Sequence, residues 1–261
     1  MEIAVKDAST NSKSLRDSRV LVITGAGISA ESGIPTFRGP GGHWRNLDPA
    51  KLATENAFRA DPKLVWDWYR ERRQMIRAAQ PNAAHVALVR IAVQSRDFLL
   101  VTQNVDDLHR RAEWVGQRIP AGKMVQIHGD IFVTRCSHCD FRRRENEPEG
   151  PATLVPPCPS CGGPLRPGVV WFGETLPPRE VQRVEDFLSH GACDLTLVIG
   201  TTALFGYIVQ WALDAKGRLG RLIEINPEES PVSAFATETV REPAAVALPK
   251  LVARLPRWFT M

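Results

Sequence analysis

Four apolar runs, rich in β-branched residues and leucine, stand at residues 20–24, 98–102, 195–199 and 221–225. Runs of this kind, with little polar alternation and with intervals long enough for helices between them, predict strands buried on both faces of a parallel sheet. Each run is followed at once by small or polar residues: Gly25-Ala26-Gly27, Gln103-Asn104-Val105-Asp106, Gly200-Thr201-Thr202 and Asn226. A polar residue ends many strands and by itself means little. In an open α/β sheet, however, ligands bind outside the carboxyl ends of the strands, so four such endings together predict one crevice.

Two long excursions interrupt the pattern. Residues 35–96 open with Gly39-Pro40-Gly41-Gly42 and turn helical at about 62–79, too long for a simple crossover and therefore read as a loop plus a helical insertion. The second, 129–167, is rich in Cys, Pro, Arg and Glu. The expected organisation is α/β: a Rossmann-type parallel-sheet domain from 1–38, 84–128 and 168–261, and a smaller zinc-ribbon and helical domain from 39–83 and 129–167. The tail beyond 227 reads as a loop and a helix over 249–258.

With 261 residues, 43% hydrophobic and 24% charged, the chain has ordinary globular composition. At this length roughly 70–75% of the unfolded surface is buried, so the main core needs no metal and any metal site has a local purpose. No apolar run approaches the ~18 residues of a membrane span, and residues 1–18 carry no apolar signal core. A net charge of +4, with basic clusters at 70–73 and 142–144, is too mild and scattered to indicate nucleic acid as a partner. Five cysteines without a secretory signal point to metal or redox chemistry in a reducing compartment. The expectation is a cytoplasmic monomer.

Cys136-x2-Cys139 and Cys158-x2-Cys161 are two knuckles at the spacing of a four-thiolate zinc ribbon, with Gly162-Gly163 supplying the turn after the second. Four thiolates leave no open coordination position, so the expected Zn2+ is structural. Cys193 lies outside the pattern and reads as a small core residue. Gly25-Ala26-Gly27-Ile28-Ser29-Ala30 follows a strand and matches the glycine turn whose backbone approaches a pyrophosphate. Gly33-Ile34-Pro35 interrupts the next helix, and no following strand ends in an acidic residue at the usual distance. Hydride-transfer architecture is therefore not indicated.

The stretch from Gly25 to Gly39, the run Thr102-Gln103-Asn104-Val105-Asp106-Asp107-Leu108-His109, the pair His128-Gly129, the four cysteines, and Val169-Val170-Trp171-Phe172-Gly173-Glu174 together resemble the sirtuin family of NAD-dependent protein lysine deacylases, in the family's order, from about residue 19 to 255. The resemblance implies NAD as cofactor, acylated-lysine proteins as partners, and a cleft between the two domains. It implies that His128 is the general base, and an imidazole with an ordinary pKa of about 6.5 suits that task near neutral pH. Asn104 and Asp106, two apart at a strand end, would hold the nicotinamide ribose and carboxamide, with Gln103 in support. The acyl-lysine carbonyl oxygen would attack the exposed ribose carbon as nicotinamide leaves. His128 would then activate the ribose hydroxyl that carries the acyl group to ADP-ribose.

The same resemblance assigns Gly25, Ala26, Gly27, Ser29, Glu31, Thr36, Phe37, Arg38 and Trp44 to the cofactor, with Gly200, Thr201, Thr202, Asn226 and Ala244 lining its adenosine half. Val169, Val170, Trp171, Phe172 and Gly173 would form an edge along which a substrate peptide adds backbone hydrogen bonds. Tyr69 and Arg72 are three apart on the predicted helix and share a face. A phenol and a guanidinium so placed can bind a carboxylate. The pair resembles the Tyr-x-x-Arg signature of sirtuins that remove malonyl, succinyl and glutaryl groups, and Ala53 matches their small pocket residue. The bland alternative is a basic helix face beside a core aromatic.

Two departures from the family stand out. Where it carries Gly-Thr-Ser and then Tyr-Pro-Ala, this chain has Gly200-Thr201-Thr202-Ala203-Leu204-Phe205-Gly206-Tyr207, with bulky Ile208 and Trp211 beyond. Glu113 stands where a glycine is common. Both predict local rearrangement. The competing functions are ADP-ribosyl transfer or NAD hydrolysis at the same site, and a zinc module binding nucleic acid through 142–144.

Overall fold

A computed structural model describes residues 14–36, 48–146 and 155–258; Phe37, Arg38 and Trp44 lie outside the described residues. The elements in chain order are β1 (Arg19–Thr24), α1 (Pro49–Leu52), α2 (Glu55–Ala60), α3 (Pro62–Ala78), α4 (Ala83–Gln94), β2 (Asp97–Thr102), α5 (Leu108–Arg111), β3 (Met124–Gln126), β4 (Gly129–Cys136), β5 (Arg142–Arg144), β6 (Leu165–Val169), α6 (Pro178–Ser189), β7 (Leu195–Ile199), α7 (Gly206–Lys216), β8 (Arg221–Ile225), β9 (Glu238–Val240) and α8 (Ala244–Trp258). The four apolar runs are β1, β2, β7 and β8. All are parallel, in a six-stranded sheet ordered β3-β2-β1-β7-β8-β9.

Every residue of β1 is buried, as a strand covered on both faces requires. Val20 and Val22 join the cluster that contains Leu88 of α4 and Leu248 of α8. Leu21 and Ile23 join Val184 of α6 and Ile208 and Ala212 of α7 on the other face. The chain leaves β1 toward β2 and β3 on one side, and later runs from β7 to β8 and β9 on the other. The order reverses between β1 and β7, where a crevice opens at the strand ends. Thr24 pairs with both Thr102 and Ile199, and Ile199 with Ile225, so these four strands end in line.

The second sheet is antiparallel, ordered β5-β4-β6. The helix α3 covers it. Asp61 caps α3 by accepting from the Leu64 N–H at 2.9 Å, with Pro62 at the first helical position. Trp66 donates from Nε1 to the Leu165 carbonyl at 2.8 Å. Arg73, 2% exposed, donates to the carbonyls of Ile131 at 2.6 Å and Val133 at 3.1 Å. Burial lowers its pKa to about 10, still protonated at neutral pH. This layer has its own buried cluster, including Ala53, Phe58, Trp66, Trp68, Tyr69 and Trp171.

Two elements differ from expectation. The glycine turn leads into a 3-10 helix, Ala26–Ser32, rather than an α-helix; Gly33 ends it at φ 84°. The C-terminal helix starts at Ala244 and passes through Pro249, instead of starting there. Ala244, Ala247, Leu248, Leu251, Val252 and Leu255 form one buried stripe at helical spacing. Burying a leucine is worth about 1.5–3 kcal/mol, so three leucines outweigh the roughly 3 kcal/mol penalty of an interior proline.

Candidate active site

The glycine turn and the β7 end are built into each other. Gly25 and Gly27 donate backbone hydrogen bonds to Ile199 O at 3.0 Å and Gly200 O at 2.8 Å. A Cβ on Gly27 would lie 2.7 Å from the Gly200 Cα, and one on Gly200, at φ +59°, would lie 2.5 Å from the Ile28 nitrogen. Only glycine fits this approach of two backbones. The turn carries Ala26 and Ser29 over the ends of β1 and β2.

Ser29 gathers the polar ends of β2. Its Oγ donates to Asp106 Oδ2 at 3.0 Å and accepts from Asn104 Nδ2 at 3.1 Å. Asp106 also accepts the Leu108 N–H at 3.0 Å. Asn104 and Asp106 are 7% and 6% exposed. Burial pushes the Asp106 carboxyl up, against the pull of the Leu108 and Ser29 hydrogen bonds. Gln103 donates from Nε2 to Thr201 Oγ1 at 2.9 Å, tying the β2 end to the β7 end. A carboxamide, a carboxylate and hydroxyls at a sheet switch point form a donor and acceptor set suited to a ligand rich in hydroxyl and amide groups.

His128 follows β3 and sits beside this set. Its Nδ1 lies 3.0 Å from the Gln103 carbonyl oxygen and its Nε2 lies 2.7 Å from the Tyr207 hydroxyl. A carbonyl only accepts, so Nδ1 carries the proton and Nε2 the lone pair. Burial lowers the His128 pKa and so favours the neutral ring, against the opposite pull of the Gln103 carbonyl. Tyr207 is a neighbour that sequence reading missed. The signal was the aromatic run Phe205, Tyr207 and Trp211 in the segment that departs from the family.

The 169–173 segment joins His128 to the helical layer. Val169 pairs with Gly129, and the Val170 N–H donates to the His128 carbonyl at 2.9 Å. The Phe172 N–H donates to the Ala53 carbonyl at 2.9 Å. Trp171 donates from Nε1 to the Tyr69 hydroxyl at 3.0 Å. Tyr69 is 3% exposed, and burial raises its pKa to about 12. The Arg72 guanidinium stands 5.3 Å from the Trp68 ring centroid. Burial lowers the Arg72 pKa, while the charges of Tyr69 and Asp106 act against it. Ala53 thus meets Phe172, Tyr69 meets Trp171, and Arg72 lies within the electrostatic reach of Tyr69 and Asp106.

Glu174 holds the end of that segment. It accepts from Arg166 and from the Trp171 N–H at 2.8 Å, and from Arg135 at 3.2 Å. Burial acts to raise its carboxyl, but these donors outweigh it and the pKa falls below the ordinary range. The Arg166 guanidinium also lies 3.2 Å from the Trp171 ring centroid. Neither arginine was singled out from sequence, because both partners are remote from them in spacing or type.

The remaining positions are spread along the crevice rim. Thr202 is exposed and Thr36 half-buried. The Asn226 N–H donates to Val240 O at 3.1 Å, and its Nδ2 to Glu228 O at 2.8 Å. Ala244 opens α8, where the Ala245 N–H donates to Glu31 Oε2 at 3.3 Å. Glu31 and Ala244, far apart in sequence, therefore meet. Gly173 has φ +88° with open space around it.

The sulfurs of Cys136, Cys139, Cys158 and Cys161 all lie within 4.8 Å of one another. Two pairs, Cys136 with Cys161 and Cys139 with Cys158, are 3.5 and 3.7 Å apart. Tetrahedral Zn–S bonds of about 2.3 Å put sulfurs about 3.8 Å apart, so the four fit one structural zinc. Cys193 is buried away from them, its thiol pushed up to about 12 by burial.

The sequence model of the Sir2 family matches residues 25–205. An NAD-dependent protein deacylase of Aquifex aeolicus is 43% identical over 89% of this chain and 93% of its own. One from Pyrococcus furiosus is 41% identical over 93% and 95%. Among solved structures, a Sir2 homologue in complex with NAD is 39% identical, covering 95% of this chain and 93% of that one, with a TM-score of 0.82. A mutant Sir2 homologue in complex with 2′-O-acetyl-ADP-ribose is 37% identical over 97% and 98%, with a TM-score of 0.84. With the likeness running through sheet, cleft and cysteine module alike, the chain belongs to the Sir2 family.

Proposed function

We propose that this protein is an NAD-dependent protein lysine deacylase that prefers acidic acyl groups such as succinyl and malonyl. The observation that carries the activity is the junction at His128: a neutral imidazole with its Nδ1 proton on Gln103 O, beside the Asn104-Ser29-Asp106 set and bonded through its own carbonyl to Val170. Bound NAD supplies an electrophilic ribose carbon with nicotinamide as leaving group, and a hydroxyl to receive the acyl group. His128 takes the proton of that hydroxyl at Nε2. Asn104, Asp106 and Ser29 orient the sugar and the carboxamide. The 169–173 segment takes the substrate backbone as an added strand, tolerant of its sequence.

The acyl preference rests on Tyr69 and Arg72. Trp171 donates to the Tyr69 oxygen, which leaves the phenol's own proton for an acyl carboxylate. Arg72 offers a planar fork beside it, and Ala53 contributes only a small side chain to this layer. The zinc module maintains β4 and β6, which lead to His128 and to the 169–173 segment.

Succinyl-lysine and acetyl-lysine peptides assayed side by side with NAD test the proposal. Succinyl turnover should exceed acetyl, with nicotinamide and O-acyl-ADP-ribose formed in equal amounts. Arg72→Met should lower succinyl kcat/KM by about 100-fold, a charge-assisted pair being worth about 1.5–3 kcal/mol, and leave acetyl turnover nearly unchanged. His128→Tyr should abolish both. Free ADP-ribose without an acyl ester, or labelled protein, would mean NAD hydrolysis or ADP-ribosyl transfer instead. Faster acetyl than succinyl turnover would remove the acidic-acyl assignment alone.

A further inference from the structure

The His128 Nε2 lone pair, which the proposed chemistry needs, is already engaged. It accepts the Tyr207 hydroxyl at 2.7 Å while Nδ1 donates to Gln103 O at 3.0 Å. A ring nitrogen has one in-plane lone pair and accepts one donor at a time. Tyr207 is aimed there by its own surroundings. It begins α7, stacks on Phe205 with ring centroids 5.5 Å apart and planes 13° apart, and leans on Trp211 at 5.1 Å. Tyr207 and Trp211 are four apart and share a helix face; Trp211 is 7% exposed. Ala203, at φ 47°, turns the chain so that Phe205 and Tyr207 both meet the imidazole edge-on. This is the 200–211 segment, which departs from the family's Gly-Thr-Ser and Tyr-Pro-Ala run.

We propose that Tyr207 is a positioning residue for His128, holding the imidazole in its Nδ1–H tautomer by donating to Nε2 and yielding that lone pair to the ribose hydroxyl when NAD binds. This deepens the deacylase reading and rests on it for the identity of the incoming hydroxyl. The described groups around the ring are the Gln103 carbonyl from the end of β2, and Phe205 and Tyr207 from the segment entering α7. Tyr207 is the titratable one among these. Burial raises its pKa to about 12, so it is a donor at every working pH. A donor to the neutral imidazole favours the neutral form; losing it makes His128 easier to protonate.

The test begins with the NAD-free protein, labelled with 15N-histidine and titrated by NMR, with His128→Gln identifying the His128 resonances. In the wild type His128 should be the Nδ1–H tautomer. Tyr207→Phe keeps the ring stack and removes only the hydroxyl, and should raise the His128 pKa by about 0.5–1 unit. The acid limb of kcat/KM should move up by the same amount, while its plateau rises by roughly five-fold because no phenol has to be displaced. An unchanged His128 titration, a reversed tautomer, or a plateau that falls tenfold with the limb unmoved would overturn the proposal; the last would mark Tyr207 as packing or as a proton relay. Should Tyr207→Phe fail to fold, the wild type still decides. Saturating ADP-ribose, which carries the hydroxyls without nicotinamide, should shift the Nε2 resonance, and an unmoved resonance excludes the displacement. Failure of ADP-ribose to bind at all counts against the deacylase reading, whereas the His128 titration in NAD-free Tyr207→Phe judges Tyr207 independently of it.

Discussion

His85 on α4 and His109 on α5 face each other in the core with ring centroids 4.8 Å apart, at 0% and 2% exposure. Asn82 holds the His85 Nδ1 at 3.1 Å, and the Thr24 hydroxyl, paired with Thr102, lies 3.1 Å from the His109 Nε2. Burial lowers His85 to about 4, with Arg111 adding to the effect. Burial, and then the charge on His85, puts His109 well below its ordinary range. Both rings are neutral in the fold, so their contribution to stability is complete above the unfolded pKa of about 6.5 and is lost as pH falls below it. Each ring can remove up to about 1.4 kcal/mol per pH unit in that window. Urea midpoints at pH 7.5, 6 and 5 should therefore fall steadily; a flat profile would rule out neutral burial of the pair. The individual residues of the cleft were legible where a motif carries them, as with the Asn104 and Asp106 pair that Ser29 joins. They were not legible where a contact spans the chain: Trp171 and Tyr69 meet across 102 positions, and no local pattern encodes that hydrogen bond.

At the scale of elements, the continuous apolar runs were read correctly because a strand buried on both faces leaves no room for polar residues. The short strands β3 and β9, three residues each, are too brief for such a signal. Glu113 shows how a departure is absorbed: α5 ends at Arg111, and the positive φ falls instead on Val115 and Gly116. Pro249 was misread as a helix start, since local backbone preference was weighted above the buried stripe on either side of it. In α8 its ring replaces the N–H that would reach Ala245 O, and its side chain is exposed. Pro249→Ala restores that bond without touching the core, although it frees the unfolded chain slightly. The net effect should be a gain of about 2 kcal/mol, or roughly 4–8 °C in Tm. A calorimetric Tm that stays level or drops would show that the proline's fixed φ matters more to α8 than its missing donor.

Across the whole molecule, two sheets with separate buried clusters meet along one short line. His128 and Gly129 lead from the large sheet into β4, and the segment after β6 returns past Ala53, bonded to His128 through Val170. The cysteines lie at the far end of the small sheet: Cys136 ends β4, and the turn holding Cys158 and Cys161 precedes β6, with Leu165 paired to Cys136. A metal there fixes the pairing of β4 with β6 from Thr134 to Cys136, and the strands stay together past a register shift to the Gly129–Val169 pair beside His128. The large sheet does not depend on it, because β1, β2, β7 and β8 are buried by α4, α6, α7 and α8. Removing zinc with a strong chelator should therefore release the backbone amides of β4 and β6 to hydrogen exchange while those of β1, β2 and β7 stay protected. Peptide turnover should vanish in step with the β4 and β6 amides. Simultaneous loss of protection in both sheets would mean that the molecule unfolds as one cooperative unit. Retained turnover after the small sheet has opened would detach the 169–173 segment from substrate binding.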